Sequence, residues 1–367
     1  MLSRKILPGL IVCAIVAVTG YGQNDADTAS ATSKALKDAY AGRFLMGAAG
    51  DLGRYSDAEL ANIKMHYDIL TPENCMKPQP IHPTEDRYNW TTADALVTWC
   101  QENHVKVWGH TLLWHSQTGR WFFQEPDGQP ATRELAMARL KEHIFTVVGR
   151  YKGKIIGWDV VNEAIEDRGA GDTENLRNRS WYTTIGPDVL TMAFKWAHEA
   201  DPAAQLYYND YGIEKGAVEN KGKHASSMIL LKRLIAEGIP IDGVGIQGHW
   251  HLGTNVADVE KAITNYASLG LEVAITELDV TATGSNSGAF GVRGGSRTIP
   301  EENYLKQAEV YKALFEIFKR HSEVISRVTF WGISDRRSWR RGQDALLFDR
   351  ELQPKLAFNA VLDAGSN

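Results

Sequence analysis

Two stretches of the chain end an apolar run on side chains able to do proton chemistry. In Trp158-Asp159-Val160-Val161-Asn162-Glu163-Ala164, which follows Ile155-Ile156-Gly157, an amide and a carboxylate stand side by side as the run closes. In Glu272-Val273-Ala274-Ile275-Thr276-Glu277-Leu278-Asp279-Val280, a second β-branched run closes on Glu277 and Asp279. Taken singly, either is an ordinary solvated strand terminus or helix cap. Together, two strands each delivering a Glu at the C-terminal end suit glycosidic cleavage. There a protonated carboxyl donates to the leaving oxygen while an ionised one attacks or activates water. For direct attack the two carboxyls lie roughly 5 to 5.5 Å apart. Glu277 and Asp279, two residues apart on a strand, face the same side. A His249 imidazole beside them would hold Glu277 oriented and ionised, leaving Glu163 as the carboxyl that carries the proton.

The elements that must position these groups follow from the periodicity. Eight apolar, strand-like runs can be read: Phe44 to Ala49, Tyr67 to Thr71, Val105 to Trp114, Ile155 to Val161, Gln205 to Tyr208, Gly243 to Gly248, Val273 to Val280 and Arg327 to Ile333. Helical patterns separate most of them, among them Ala93 to Asn103, Thr132 to Tyr151, Val189 to Ala200, Lys221 to Ala236, Val256 to Ser268 and Glu302 to Arg320, with Pro354 to Leu362 as a last one. Such alternation predicts parallel strands with crossover helices. Eight units predict a single-domain (β/α)8 TIM barrel with its site at the C-terminal ends of the strands. No Gly-rich phosphate fingerprint follows the first run, which removes the main reason for a Rossmann alternative.

Read in order, the strand ends supply Glu73, Asn74 and Lys77, then His110, Trp114 and His115, then Asn162 and Glu163. Asn209, Asp210 and Tyr211 follow, then Gln247, His249 and Trp250, Glu277 and Asp279, and finally Trp331 with Trp339 beyond it. Sugars suit this mixture, because a pyranose offers C–H faces to indoles and a hydroxyl rim to donors and acceptors. Asn209 and Tyr211 are counted among the substrate-binding residues on this ground.

Residues 1–22 have the pattern of a signal peptide: Arg4-Lys5, an uncharged run from Ile6 to Val18, and Gly20-Tyr21-Gly22. A secreted or periplasmic protein is therefore expected, with residues 23–39 as a leader and 40–363 as the barrel. Removing residues 1–22 leaves 38 Lys and Arg against 45 Asp and Glu, a net charge of −7 in place of −5. That argues against nucleic acid as a partner. The run is too short to span a bilayer comfortably, and no membrane association of the mature form is expected. Of the three cysteines, Cys13 falls in the signal, and Cys75 and Cys100 are expected as free, mostly buried thiols. The Gly-, Ser- and Thr-rich stretch Thr281 to Pro300 follows the seventh run, either as a loop over the site or as a plain insertion.

Six segments closely resemble the signature segments of glycoside hydrolase family 10, the endo-β-1,4-xylanases. They are Thr71-Pro72-Glu73-Asn74-Cys75-Met76-Lys77, Gly109-His110-Thr111-Leu112-Leu113-Trp114-His115-Ser116-Gln117, Trp158 to Ala164, Gly245-Ile246-Gln247-Gly248-His249-Trp250, Ile275-Thr276-Glu277-Leu278-Asp279 and Phe330-Trp331-Gly332-Ile333-Ser334-Asp335. They run in order from about Tyr40 to Phe358. The resemblance implies cleavage of internal β-1,4 linkages of xylan with retention of configuration. Glu163 matches the general acid/base and Glu277 the nucleophile. His249 and Asp279 match the pair supporting the nucleophile, and Asn162 the amide that contacts the 2-hydroxyl. Glu73, Asn74, Lys77, His110, Trp114, Gln247, Trp331 and Trp339 match residues lining the glycone subsites. Two features depart from the pattern: Trp108 stands where Arg is frequent, and Arg336-Arg337 replace small or acidic residues. The disulfide often seen near the sixth and seventh strands of the family has no counterpart.

The partners expected are xylan and xylo-oligosaccharides, bound by a monomer without cofactor or metal. His110, His115 and His249 lie on different strands with no metal-ligand spacing, which disfavours a metal-dependent hydrolase. A non-catalytic sugar-binding protein would keep the indoles and amides but would not need both glutamates. The nearest rival is a retaining β-1,4-glucanase or mixed-specificity glycanase on the same barrel.

Overall fold

Eight almost wholly buried strands close into a parallel barrel in the computed structural model, which describes residues 34–283 and 298–366. They are β1 (Leu45–Ala49), β2 (Ile69–Thr71), β3 (Lys106–Trp114), β4 (Gly157–Asn162), β5 (Gln205–Asp210), β6 (Gly243–Ile246), β7 (Glu272–Thr281) and β8 (Ile325–Phe330). Each pairs in parallel with the next, and β8 returns to β1 to complete the ring. Because helices cover the outer face and side chains fill the inner one, the strands are near-continuously apolar, as the sequence led us to expect. The covering helices are α1 (Asp57–His66), α2 (Thr91–Glu102), α3 (Arg133–Arg150), α4 (Asp188–Ala200), α5 (Gly222–Ala236), α6 (Val256–Ala267), α7 (Glu301–Arg320) and α8 (Leu356–Ser366). The expected signal peptide, most of the leader and residues 284–297 of the Thr281 to Pro300 stretch lie outside the described residues.

Local chemistry sets several helix starts. Ser56 and Glu59 form a capping box on α1, the Glu59 N–H donating to Ser56 Oγ at 3.3 Å and the Ser56 N–H to Glu59 Oε2 at 2.8 Å. The side chains of Thr132 and Asn255 cap α3 and α6 in the same sense, each accepting from a first-turn N–H.

Several strand ends shift by one to three residues from the expectation, the eighth strand running Ile325–Phe330 in place of Arg327 to Ile333, and two differences have structural consequences. Leu36–Ala39, placed in the leader, forms a helical turn with Leu36 and Ala39 buried, and Tyr40 Oη donates to the Val361 carbonyl at 2.7 Å. The fold thus ties its two described ends together. The sixth run does not continue to Gly248. It stops at Ile246, Gly248 turns the chain at φ 80°, and His249–His251 resumes as a short strand paired with Asp279–Thr281. This places His249 opposite Asp279. Cys100 is buried and Cys75 half-buried, and both are free. Among the described residues no helix is long and apolar enough to cross a membrane.

Inside the barrel, indoles fill the space that glycines leave. A Cβ on Gly109 would lie 2.1 Å from the Trp158 ring, and one on Gly157 would lie 2.3 Å from the Trp108 ring and 2.8 Å from the Gln205 carbonyl oxygen. The ring of Trp108 is covered on its face by the Arg327 guanidinium at 3.3 Å. Trp108 Nε1 donates to Asp159 Oδ1 at 2.8 Å, with Arg327 Nη2 3.5 Å from the same oxygen. The Asp159 carboxylate is thus met by an indole from β3 and by a guanidinium from β8. Because the Gln205 carbonyl is backbone and cannot rotate away, Gly157→Ala is expected to destabilise the fold by about 1–3 kcal/mol. A lowered thermal midpoint relative to the parent checks this, and an unchanged midpoint would contradict the packing described.

Candidate active site

Glu163 leaves β4 with its backbone in the left-handed region, φ 57°. For a residue with a Cβ this costs about 1–2 kcal/mol. Both of its peptide groups are tied: the Glu163 N–H donates to the Asn209 carbonyl at 2.8 Å, and its own carbonyl accepts from Arg177 Nε at 3.0 Å. Its carboxylate is held by neutral donors, Trp114 Nε1 at 2.9 Å on Oε2 and Gln247 Nε2 at 3.0 Å on Oε1. His115 Nδ1 lies 3.9 Å away, and burial pulls that imidazole below its ordinary pKa.

Glu277 sits across the site on β7, with its N–H donating to the Gln247 carbonyl at 2.7 Å. Asn209 Nδ2 donates to its Oε1 at 2.8 Å, and His249 Nε2 lies 3.2 Å from its Oε2. The other ring nitrogen of His249 is 2.9 Å from Asp279 Oδ2, which also accepts from Trp339 Nε1 at 2.8 Å. Asp279 Oδ1 accepts from Arg340 Nε at 3.0 Å. Burial pulls the His249 pKa down, but the two carboxylates outweigh it and raise the pKa to about 9. The imidazolium therefore donates from both nitrogens at neutral pH. Burial raises Glu277 in turn, and the hydrogen bond from His249 with the fields of His110, His249 and Lys77 overcomes it, so the carboxyl stays below its ordinary value. The same competition holds Asp279 low, with burial opposed by His249 and Arg340.

A chain of amides links the two glutamates. Asn209 Nδ2 also donates to Asn162 Oδ1 at 2.9 Å, and Gln247 Nε2 is 3.4 Å from that oxygen. Thr276 Oγ1 donates to Asn209 Oδ1 at 2.6 Å, which fixes the NH2 of Asn209 toward Asn162. The opposite orientation of Asn162 would set two NH2 groups 2.9 Å apart, so its oxygen faces Asn209.

Both glutamates open onto a cleft of about 300 Å³, whose wall also includes Asn162, Gln247, His249, Lys77, His110, Trp114, Tyr211, Trp331 and Trp339. The strand ends thus bring together most of the expected residues, but not all on the wall. Asn209 is fully buried behind Glu277 and Asn162, and Asp279 is buried behind His249. Glu73 and Asn74 sit beside the wall residue Lys77, whose Nζ reaches Asn74 Oδ1 at 3.3 Å while the Asn74 N–H donates to Asp51. Burial and the neighbouring Asp51 raise the Glu73 carboxyl, and burial lowers Lys77. His110 Nδ1 is 2.9 Å from Asp159 Oδ2, and its ring meets Trp331 edge-on at 5.2 Å. Arg337 turns away from the glutamates to Glu59, at 2.6 Å, and to the face of Tyr55. A smaller hollow of about 30 Å³ behind Glu163, beside His115 and Trp181, has no room for a sugar ring. Among the described residues no three His, Cys, Asp or Glu are grouped to hold a metal ion.

Sequence reasoning missed Asp159, Arg177, Arg340 and Lys215, the last of which also lines the cleft. Asp159 lies within the first stretch, and being a carboxylate among apolar residues was its available signal. The other three sit in loops, where no periodicity points inward.

The model of the family described as Glycosyl hydrolase family 10 matches residues 35–364. The chain belongs to glycosyl hydrolase family 10. Endo-1,4-beta-xylanase A of Thermoanaerobacterium saccharolyticum is 42% identical over 331 residues, 87% of this family 10 chain and 27% of that protein. Exoglucanase XynX of Acetivibrio thermocellus is 40% identical over 339 residues, 89% of this chain and 29% of that protein. The chain thus spans under a third of the length of these two relatives. Among solved structures, an intracellular xylanase of Thermoanaerobacterium saccharolyticum, a glutamate-to-alanine mutant in complex with xylotetraose, aligns with a TM-score of 0.80. It is 38% identical and covers 89% of this chain and 97% of its own.

In this family 10 chain the shifted groups act on stability with opposite signs. His249, raised from 6.5 to about 9, contributes stability that is complete below about pH 6.5 and lost as pH rises through 9. Glu277 and Asp279, lowered from 4.5 and 3.8, contribute stability that is present above those values and lost as pH falls. Urea unfolding from pH 6 to 10 is therefore expected to show an alkaline loss, on the order of 3 kcal/mol, that His249→Asn lacks. Parallel profiles for the two proteins would contradict the charge assigned to His249.

Proposed function

We propose that this chain is an exported, monomeric endo-1,4-β-xylanase that works by retaining double displacement. The observation that carries the reading is the asymmetry between two carboxylates on one cleft. Glu277 lies against an imidazolium and is kept ionised, whereas Glu163, on the same cleft, is bonded by the neutral indole of Trp114 and the neutral amide of Gln247 and is assigned the acid/base role. In the first step the Glu277 carboxylate attacks the anomeric carbon while the Glu163 proton passes to the departing glycosidic oxygen. In the second, Glu163 takes a proton from water, whose oxygen displaces Glu277 from the same carbon. Asn162 is assigned the 2-hydroxyl, and Lys77, His110, Trp114, Gln247, Trp331 and Trp339 the glycone side of the cut. Asn209 supports Glu277 from behind.

Xylan as substrate is supported by the name of the Thermoanaerobacterium relative and by the xylotetraose complex. The exoglucanase relative supports a second reading, cleavage of β-1,4-glucan on the same barrel. Reducing-sugar release from xylan, cellulose and mannan separates them: turnover mainly of xylan is expected, and turnover mainly of cellulose would reverse the assignment. On xylan, Glu277→Ala is expected to abolish hydrolysis, and Glu163→Ala to retain activity only on substrates with good leaving groups. Near-parental xylan turnover by either variant would refute the roles.

Export is supported by Arg4-Lys5, the Ile6 to Val18 run and Gly20-Tyr21-Gly22. The mass of protein recovered from periplasm or medium is expected to correspond to loss of about the first 22 residues, and intact protein confined to the cytosol would contradict this.

A further inference from the structure

The carboxyl end of Glu163 is fixed by Trp114 and Gln247, but a side chain is only as well placed as the backbone that bears it. At φ 57° that backbone is held off its relaxed conformation, and Arg177 grips it on the C-terminal side. The loop after β4 folds back so that Ile165 bridges Leu176, and the Arg177 N–H donates to the Ala164 carbonyl at 2.6 Å. This turns the guanidinium under Glu163. Nε donates to the Glu163 carbonyl at 3.0 Å, and Nη2 to the Ile165 carbonyl at 2.9 Å and to Tyr211 Oη at 3.2 Å. Nη2 also lies 3.3 Å from Asp167 Oδ1, and Nη1 lies 3.5 Å from Glu166. The residue is 8% exposed. Lys223 anchors the same assembly, 3.3 Å from Asp167 and 2.9 Å from the buried Asp210. A planar fork can reach this set of acceptors, with the two N–H groups of Nη2 shared among Ile165, Tyr211 and Asp167, and an ammonium with three donors on one atom cannot.

We propose that Arg177 is a positioning residue for the acid/base: it touches no sugar, and it keeps Glu163 in the left-handed backbone that aims the carboxyl at the leaving oxygen. This rests on the assignment of Glu163 as acid/base. The guanidinium bonds the carbonyl of Glu163 and not its carboxylate, so its loss displaces the acid without discharging it. A proton donor displaced by about 1 Å loses on the order of 100-fold. The loss falls on substrates whose leaving group needs the proton.

The test compares kcat/KM, which reports the first step, for aryl xylobiosides with a poor leaving group (phenol) and an activated one (2,4-dinitrophenol). Glu163→Ala is the reference. For Arg177→Ala we expect a fall of about 30-fold or more on the phenyl glycoside and less than about threefold on the dinitrophenyl glycoside. Arg177→Lys, which keeps the charge but not the fork, should show the same selectivity to a smaller degree. It carries the test if the alanine variant does not fold. Equal losses on both substrates, or none, from a folded Arg177 variant would overturn the proposal. Absence of leaving-group selectivity in Glu163→Ala would instead overturn the acid/base assignment on which it rests.

Discussion

The His249 imidazolium lies between two buried carboxylates, 2.9 Å from Asp279 and 3.2 Å from Glu277. Without it, two negative charges would share a water-poor pocket, where an unpaired carboxylate is driven to take up a proton. Glu277 is 5% exposed and Asp279 fully buried. Arg340 adds a second positive charge on Asp279, at 3.0 Å, so the four groups compensate one another locally. Trp339 donates to Asp279 and stands 4.8 Å from the His249 ring, fixing the imidazole's plane. Glu277 is thus ionised and held in place by fixed neighbours, the preorganisation that its proposed role as nucleophile requires in a low-dielectric site.

Barrel closure creates this arrangement. Strand β7 carries Glu277 and Asp279 on one side, and its neighbour β6 stops early so that Gly248 can return His249 into register with Asp279. From Glu277, Asn209 on β5, Asn162 at the end of β4 and Gln247 beyond β6 pass the linkage to Glu163. Asn209 and Asn162 each donate and accept, and Gln247 donates to both Asn162 and Glu163, so the two glutamates are fixed relative to each other through four neighbouring strands. Glu163 and Glu277 therefore share one rigid frame, while each carboxylate meets different neighbours.

Much of this could be read from the sequence because parallel strands buried on both faces leave a strong signal, an unbroken β-branched run, and a polar residue ending such a run has few places to go but the barrel mouth. Glu163, Glu277, Asn162 and Trp114 were legible on that rule. The rule fails where a strand is interrupted. The Gly243 to Gly248 run gave no sign that His249 belongs to a separate short strand, since Gly248 is as compatible with a strand as with a turn until its φ is known. It also does not distinguish wall from backing: Asn209 lies opposite Asn162 in the register of β5 and β4, yet only Asn162 lines the cleft, because the Asn209 amide is taken up by Asn162, Glu277 and Thr276. Arg177 and Arg340 were beyond reach because loops of irregular backbone carry no period. Only the folded loop shows which carbonyls and carboxylates a guanidinium meets.

The central claim is that Glu277, held ionised by its contact with His249, makes the bond to sugar and that Glu163 does not. Trapping tests it directly. The intact protein is treated with an activated 2-deoxy-2-fluoro-xylobioside, which slows release of any glycosyl intermediate, and the labelled peptide is sequenced by mass spectrometry. The account predicts one equivalent of fluoroxylobiosyl on the carboxylate of Glu277. A label on Glu163, or full inactivation with the label on neither glutamate, would contradict it.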